Sequence, residues 1–125
     1  LLAATFHAGA PAVAQAVDGK TLFAKNCAAC HQASGAGIPG AFPALKGNTY
    51  LQGDPDPVIA TVLKGRAGMP AFAVSLDDTQ LAAVLTYARG AWGNKAGAVT
   101  AEQTAAVRGA ANAPANTQEK STIIH

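Results

Sequence analysis

Apolar positions recur at helical intervals in four stretches of the chain. Over residues 18–31, Gly19, Leu22, Phe23, Cys27 and Cys30 share one face behind Asp18, a good N-cap, and Val17 and Leu22 stand where a hydrophobic staple forms. A second helix is predicted over 57–64, with Asp56 as cap, Pro57 in the first helical position and Gly65 as the stop. A third is predicted over 76–91, capped by Ser75 with Asp77 and Asp78 in its first turn. Its apolar stripe runs Leu81, Val84, Leu85, Ala88 and Trp92. A short fourth helix is predicted over 101–108, where Thr100 and Gln103 make a capping box and Ala105, Ala106 and Val107 are the apolar patch. No stretch reads as a strand, so the fold class is all-α. Between the first two helices lies a long Gly- and Pro-rich connection, 32–55, and a second loop, 65–74, holds Gly68-Met69-Pro70. An irregular segment as long as the first needs something large to pack on.

Composition sharpens that point. The 125 residues suit one domain with extensions. Half of them are hydrophobic, but only 6% are aromatic, so few large side chains are available to fill a core. Such a chain is marginal on apolar burial alone, and a large flat cofactor would supply the missing interior. The net charge of +2 is carried by scattered Lys and Arg, interrupted by Asp54, Asp56, Asp77 and Asp78. Without a basic block, nucleic-acid binding has no support. Residues 1–16 are small and apolar and end in Ala14-Gln15-Ala16, which reads as a signal-peptide remnant or an Ala-rich N-terminal arm. They are too short for a membrane span and are interrupted by His7, Gly9 and Pro11. The export reading places the protein in the periplasm.

The chemistry is concentrated in Cys27-Ala28-Ala29-Cys30-His31, a C-x-x-C-H sequence that is the attachment signature of c-type haem. On a helix, positions i, i+3 and i+4 share a face. Two thiols so placed can bond the vinyl groups of one porphyrin while the following histidine meets the iron. Other uses of the pair fit less well. A thioredoxin-like site wants a βαβ context. Structural zinc needs four ligands, and His7 and His125 are remote from this cluster. A plain disulfide leaves His31 and the long loop without a purpose. The chain's single methionine, Met69, is the candidate sixth ligand. A methionine is commonly core filler, but this one sits in a tight backbone between Gly68 and Pro70, and the long segment from His31 allows its loop to cross to the opposite haem face.

At these residues the chain resembles the class I cytochrome c family, small bacterial electron-transfer cytochromes in particular, over residues 17–93. Gly19 and Phe23 match first-helix positions that pack on an aromatic of the last core helix, here Tyr87. The resemblance implies three core helices and a long loop around one covalent haem c, with extensions at 1–16 and 94–125. It implies His31 and Met69 as axial iron ligands. Pro43 and Leu45, in FPAL, match a Pro-x-Leu whose proline carbonyl accepts a hydrogen bond from His31 Nδ1. Phe42, Leu45, Val62, Leu63 and Phe72 are expected as pocket wall. Tyr50, Asn48, Arg66 and Trp92 are candidates for haem propionates, with ordinary edge packing as the other reading. The implied function is one-electron transfer without catalysis. A haem peroxidase or gas sensor with a displaceable sixth ligand, and a structural haem subunit, are the alternatives. Residues 81–108 resemble the end of cytochrome domains attached to bacterial periplasmic dehydrogenases, oxidases and reductases, which implies a redox partner protein of that kind. The family's ring of docking lysines is absent, and residues 94–125, ending near Ile123-Ile124, read either as a frayed terminus or as a segment that lies on a partner subunit.

Overall fold

The computed structural model describes residues 17–112, so the expectations for residues 1–16, for His7 and His125 and for the terminal isoleucines lie outside the described residues. Five helices follow in order: α1 (Gly19–Asn26), α2 (Ala28–His31), α3 (Pro55–Lys64), α4 (Asp78–Gly90) and α5 (Ala101–Ala111). Among the described residues the β pairing is limited to two isolated bridges, Ile38–Phe42 and Arg66–Met69. The all-α architecture expected from the apolar pattern is the one observed.

Local chemistry explains the helix limits. Asp18 caps α1, accepting from Lys20 N at 3.1 Å and from the Thr21 hydroxyl at 2.7 Å. The Thr21 bond holds the Asp18 carboxyl below the usual carboxylate range. The helix expected over 18–31 is kinked at Cys27, whose φ of −124° leaves the helical region. Hydrogen bonding runs on through the kink, from Cys27 N to Phe23 O and from His31 N to Cys27 O. α3 starts two residues earlier than expected, because Asp54 accepts from Asp56 N and Pro55 takes the first position. Both Asp-Pro pairs obey the same rule. The earlier one prevails at no loss, since Pro57 falls in the first turn, where no intrahelical N–H partner exists. α4 is capped by Asp77, not Ser75. Asp77 and Gln80 bond each other's backbone N–H reciprocally at 2.8 and 2.9 Å, which a serine at 75 cannot match. The box of Thr100 and Gln103 forms as expected at the start of α5.

The core is a cluster on α1, α3 and α4 that includes Phe23, Ile59, Leu63, Leu81, Val84 and Leu85. α1 crosses α4 closely, and Gly19 makes this possible: a Cβ there would lie 2.1 Å from Ala83 O. Phe23, Tyr87 and Trp92 then pack edge to face or tilted, with centroids 5.1–5.7 Å apart.

The extension from residue 94 onward folds back on α3 and α4. Asn94 is buried, donates to Leu45 O and Ala88 O, and accepts from Gly47 N. Val99 is buried, and its N–H and carbonyl both bond Thr86 Oγ1. The buried residue of α5 is Thr104, not Ala105 or Ala106, which are exposed. Removing residues 94–125 takes away these bonds together with the Val99 contact. It should lower stability by about 3–5 kcal/mol, from one buried apolar side chain and several buried hydrogen bonds. Denaturant unfolding of the truncated holoprotein checks this.

Candidate haem-attachment site

The kink at Cys27 turns the end of α1 into α2, which carries Cys30 and His31. Cys27 and Cys30 are half-buried and not bonded to each other. Burial, with a smaller push from Cys30, raises the Cys27 thiol to about 11. That environment disfavours a thiolate, the form a metal would bind, and suits an uncharged sulfur such as a thioether.

His31 Nδ1 lies 2.9 Å from Pro43 O. A carbonyl oxygen only accepts, so Nδ1 carries the proton and Nε2 keeps its lone pair for a metal. The loop is built to hold that carbonyl. Gly37 N donates to His31 O, Ile38 and Phe42 exchange both backbone bonds, and Leu45 N and Lys46 N both donate to Gly35 O. Trp92 closes the arrangement from the end of α4: its indole N–H donates to Ala33 O at 2.8 Å. Trp92 adopts a φ of +55°, uncommon for an aromatic, which turns its ring back from the helix end.

Met69 sits at the base of a tight turn. It is half-buried and exchanges backbone bonds with Arg66 at 2.8 and 3.1 Å. Phe72 N donates to Val62 O, tying the loop to α3. Leu45, Val62 and Phe72 are half-buried against the core and Phe42 is half-buried on its bridge, whereas Leu63 is fully in the core. The propionate candidates differ in what they leave free. Tyr50 OH bonds Pro57 O and Thr61 Oγ1. Asn48 uses both ends of its amide on its own loop, donating to Ala44 O and accepting from Leu51 N. The Trp92 indole is engaged with Ala33 O, as above. Arg66 is exposed, its backbone paired with Met69.

These residues fit a covalent haem: a neutral sulfur site, an imidazole with Nε2 free, and half-buried apolar side chains from two loops. Among the described residues no group of three His, Cys, Asp or Glu side chains gathers, which leaves zinc short of ligands. Two site-supporting residues escaped sequence reasoning, Arg89 and Asn94. Arg89 is 5% exposed and donates to Leu51 O, Gly53 O and Gly97 O, pinning the end of the long loop to α4. An arginine one residue from the end of a helix pattern gives no sign of burial, since such residues are mostly exposed.

Residues 14–87 match the family described as "Cytochrome C oxidase, cbb3-type, subunit III". The chain belongs to the class I cytochrome c family. Among similar proteins, the cbb3-type cytochrome c oxidase subunit CcoP of Azospirillum brasilense is 37% identical over 89 residues, 66% of this chain and 30% of that protein. The gluconate 2-dehydrogenase cytochrome c subunit of Pantoea cypripedii is 36% identical over 104 residues, 72% of this chain and 24% of that protein. Cytochrome c6 of Leptolyngbya boryana is 40% identical over 77 residues, 59% of this chain and 89% of that protein. The chain thus spans less than a third of the first two relatives and most of the third. As a cytochrome c domain it transfers electrons through covalently bound haem c.

The long loop gives a direct test. Gly37 has a φ of +63°, and a Cβ there would lie 2.5–2.6 Å from Phe42 O and Pro43 C and O. Gly37→Ala must therefore displace the carbonyl that orients His31. It should cost about 2–3 kcal/mol through overpacking and backbone strain. Hydrogen exchange at His31 Nδ1 should speed up in the same variant, read by NMR of the labelled holoprotein.

Proposed function

We propose that residues 17–112 hold one haem c, bonded through Cys27 and Cys30 and ligated by His31 and Met69, and that the domain passes single electrons to or from a partner oxidoreductase. The observation that carries this reading is the His31–Pro43 contact at 2.9 Å beside two unpaired, half-buried cysteines. The haem supplies a one-electron ferric/ferrous couple. The chain's residues decide how that couple behaves. Pro43 O fixes the imidazole and makes Nε2 a stronger donor. Met69, as a thioether ligand, favours the ferrous state and raises the potential relative to a second histidine. Leu45, Val62 and Phe72 limit the access of water. Cytochrome subunits of an oxidase and a dehydrogenase among the relatives support a partner of that class. The A-x-A pattern at 14–16 supports a periplasmic location. Among the described residues no helix is long and apolar enough to cross a membrane.

Two measurements test the reading. The intact mass of protein matured in a haem-attaching host should exceed the chain mass by one haem, and the haem should survive acid-acetone extraction. A freely extractable haem, or two haems, would refute the single covalent group. Met69→Ala should abolish the iron–methionine charge-transfer band, lower the potential and open the iron to carbon monoxide or cyanide. An unchanged spectrum and potential would assign the sixth position to another residue, and rapid binding of these ligands by the unmutated protein would favour the peroxidase or sensor alternative.

A further inference from the structure

The family match ends at residue 87, but α5 reaches back to the segment that follows Met69. Arg108 spreads its guanidinium over three acceptors there. Nε donates to Asp78 Oδ1 at 2.8 Å, Nη2 to Leu76 O at 2.7 Å and Nη1 to Ala73 O. One turn earlier the Thr104 hydroxyl, on a fully buried residue, lies 2.8 Å from both Asp78 O and Ala101 O. Ala73 is four residues from Met69 and lies in turn structure outside any helix, so its carbonyl has no ladder partner of its own. Besides Arg108, two backbone bonds hold this stretch, from Phe72 N to Val62 O and from Leu76 N to Phe72 O. Pro70, Ala71, Ala73 and Ser75 are exposed, and Val74 is fully so. Phe72 and Leu76 supply the apolar anchorage. A segment with so few buried contacts opens easily unless polar bonds restrain it.

We propose that Arg108 is a positioning residue for the sixth haem ligand. By clamping residues 73–78, it holds the Met69 loop closed and keeps the Met69 thioether on the iron against competing ligands. The proposal rests on the reading of Met69 as that ligand. The planar fork of an arginine reaches all three acceptors at once, whereas a lysine ammonium reaches fewer, so the two side chains should not be equivalent.

The experiment compares four variants of the holoprotein with the unmutated protein: Arg108→Gln, Arg108→Lys, Val99→Ala and Met69→Ala. The readouts are the rate of cyanide binding to the ferric form, and the temperature at which the iron–methionine band disappears relative to the helical signal. Loss of charge-assisted bonds should speed cyanide binding on the order of tenfold in Arg108→Gln, with Arg108→Lys intermediate. In both, the band should vanish below the temperature at which the helices melt. Val99 is buried at the other end of the α5 connection, so Val99→Ala should melt early yet bind cyanide at the unmutated rate. Should Arg108→Gln fail to load haem, Arg108→Lys carries the same comparison. An unmutated cyanide rate in the Arg108 variants, or an equal acceleration in Val99→Ala, would overturn the proposal and leave α5 a stabilising element alone. A charge-transfer band that persists in Met69→Ala would instead refute the ligand reading itself, and the proposal with it.

Discussion

Where α1 crosses α4, the Gly19 backbone approaches Ala83 O so closely that no Cβ fits between them. That contact fixes the angle and depth at which the two helices meet. It brings Phe23 against Tyr87 and Trp92, and Trp92 in turn bonds the carbonyl of Ala33, just beyond His31. The candidate haem-attachment residues are thus positioned from behind by a helix crossing and an aromatic cluster. The proposed iron ligand does not have to be held by its own short helix. α2 alone, at four residues, is far below the length at which a helix is stable by itself.

The rest of the interior is organised around loop carbonyls. Two long irregular segments carry Pro43 and Met69, and irregular backbone leaves polar groups without ladder partners. Three side chains that each take more than one carbonyl supply many of the donors. Arg89 takes carbonyls at residues 51, 53 and 97, Asn94 takes those at 45 and 88, and Arg108 takes those at 73 and 76. Arginine suits this role because its donors are fixed in a plane and its charge survives burial. Among the described residues no buried side-chain nitrogen or oxygen lacks a partner. Such a network makes the loops stiff while spending few of the scarce large apolar residues. Stiffness matters for a one-electron carrier, whose ligand set should change little between oxidation states.

The two loops differ in how they are secured. The one bearing Pro43 is fastened by backbone bonds within itself and by Trp92 and Asn94. The one bearing Met69 depends on the Arg66 bridge, the Phe72–Val62 bond and the reach of α5. Both sides of the site therefore lean on residues beyond the family match, the histidine side on Trp92 and Asn94 and the methionine side on α5.

Sequence by itself determined the elements whose causes are local. The cap at Asp18, the capping box at Thr100 and Gln103, the stop at Gly65, the apolar stripe of α4 and the C-x-x-C-H cluster could all be read, because each depends on residues within a turn of one another. Local rules left a tie at the start of α3, where Asp54-Pro55 and Asp56-Pro57 satisfy the same preference. They misplaced the start of α4, where Asp77 with Gln80 outdoes Ser75 and leaves Leu76 to the core. Tertiary structure alone decided the kink at Cys27, the burial of Arg89, Asn94 and Thr104, and the engagement of Tyr50, Asn48 and Trp92 with the protein's own backbone. The burial of Arg89 and Asn94 and the engagement of Trp92 depend on carbonyls that arrive from elsewhere in the chain, as with Arg89 and Leu51, 38 residues apart. A polar side chain carries no mark of which distant acceptor will meet it. An apolar stripe carries its period in the sequence, but a buried donor becomes legible only when the loop it serves has been folded against it.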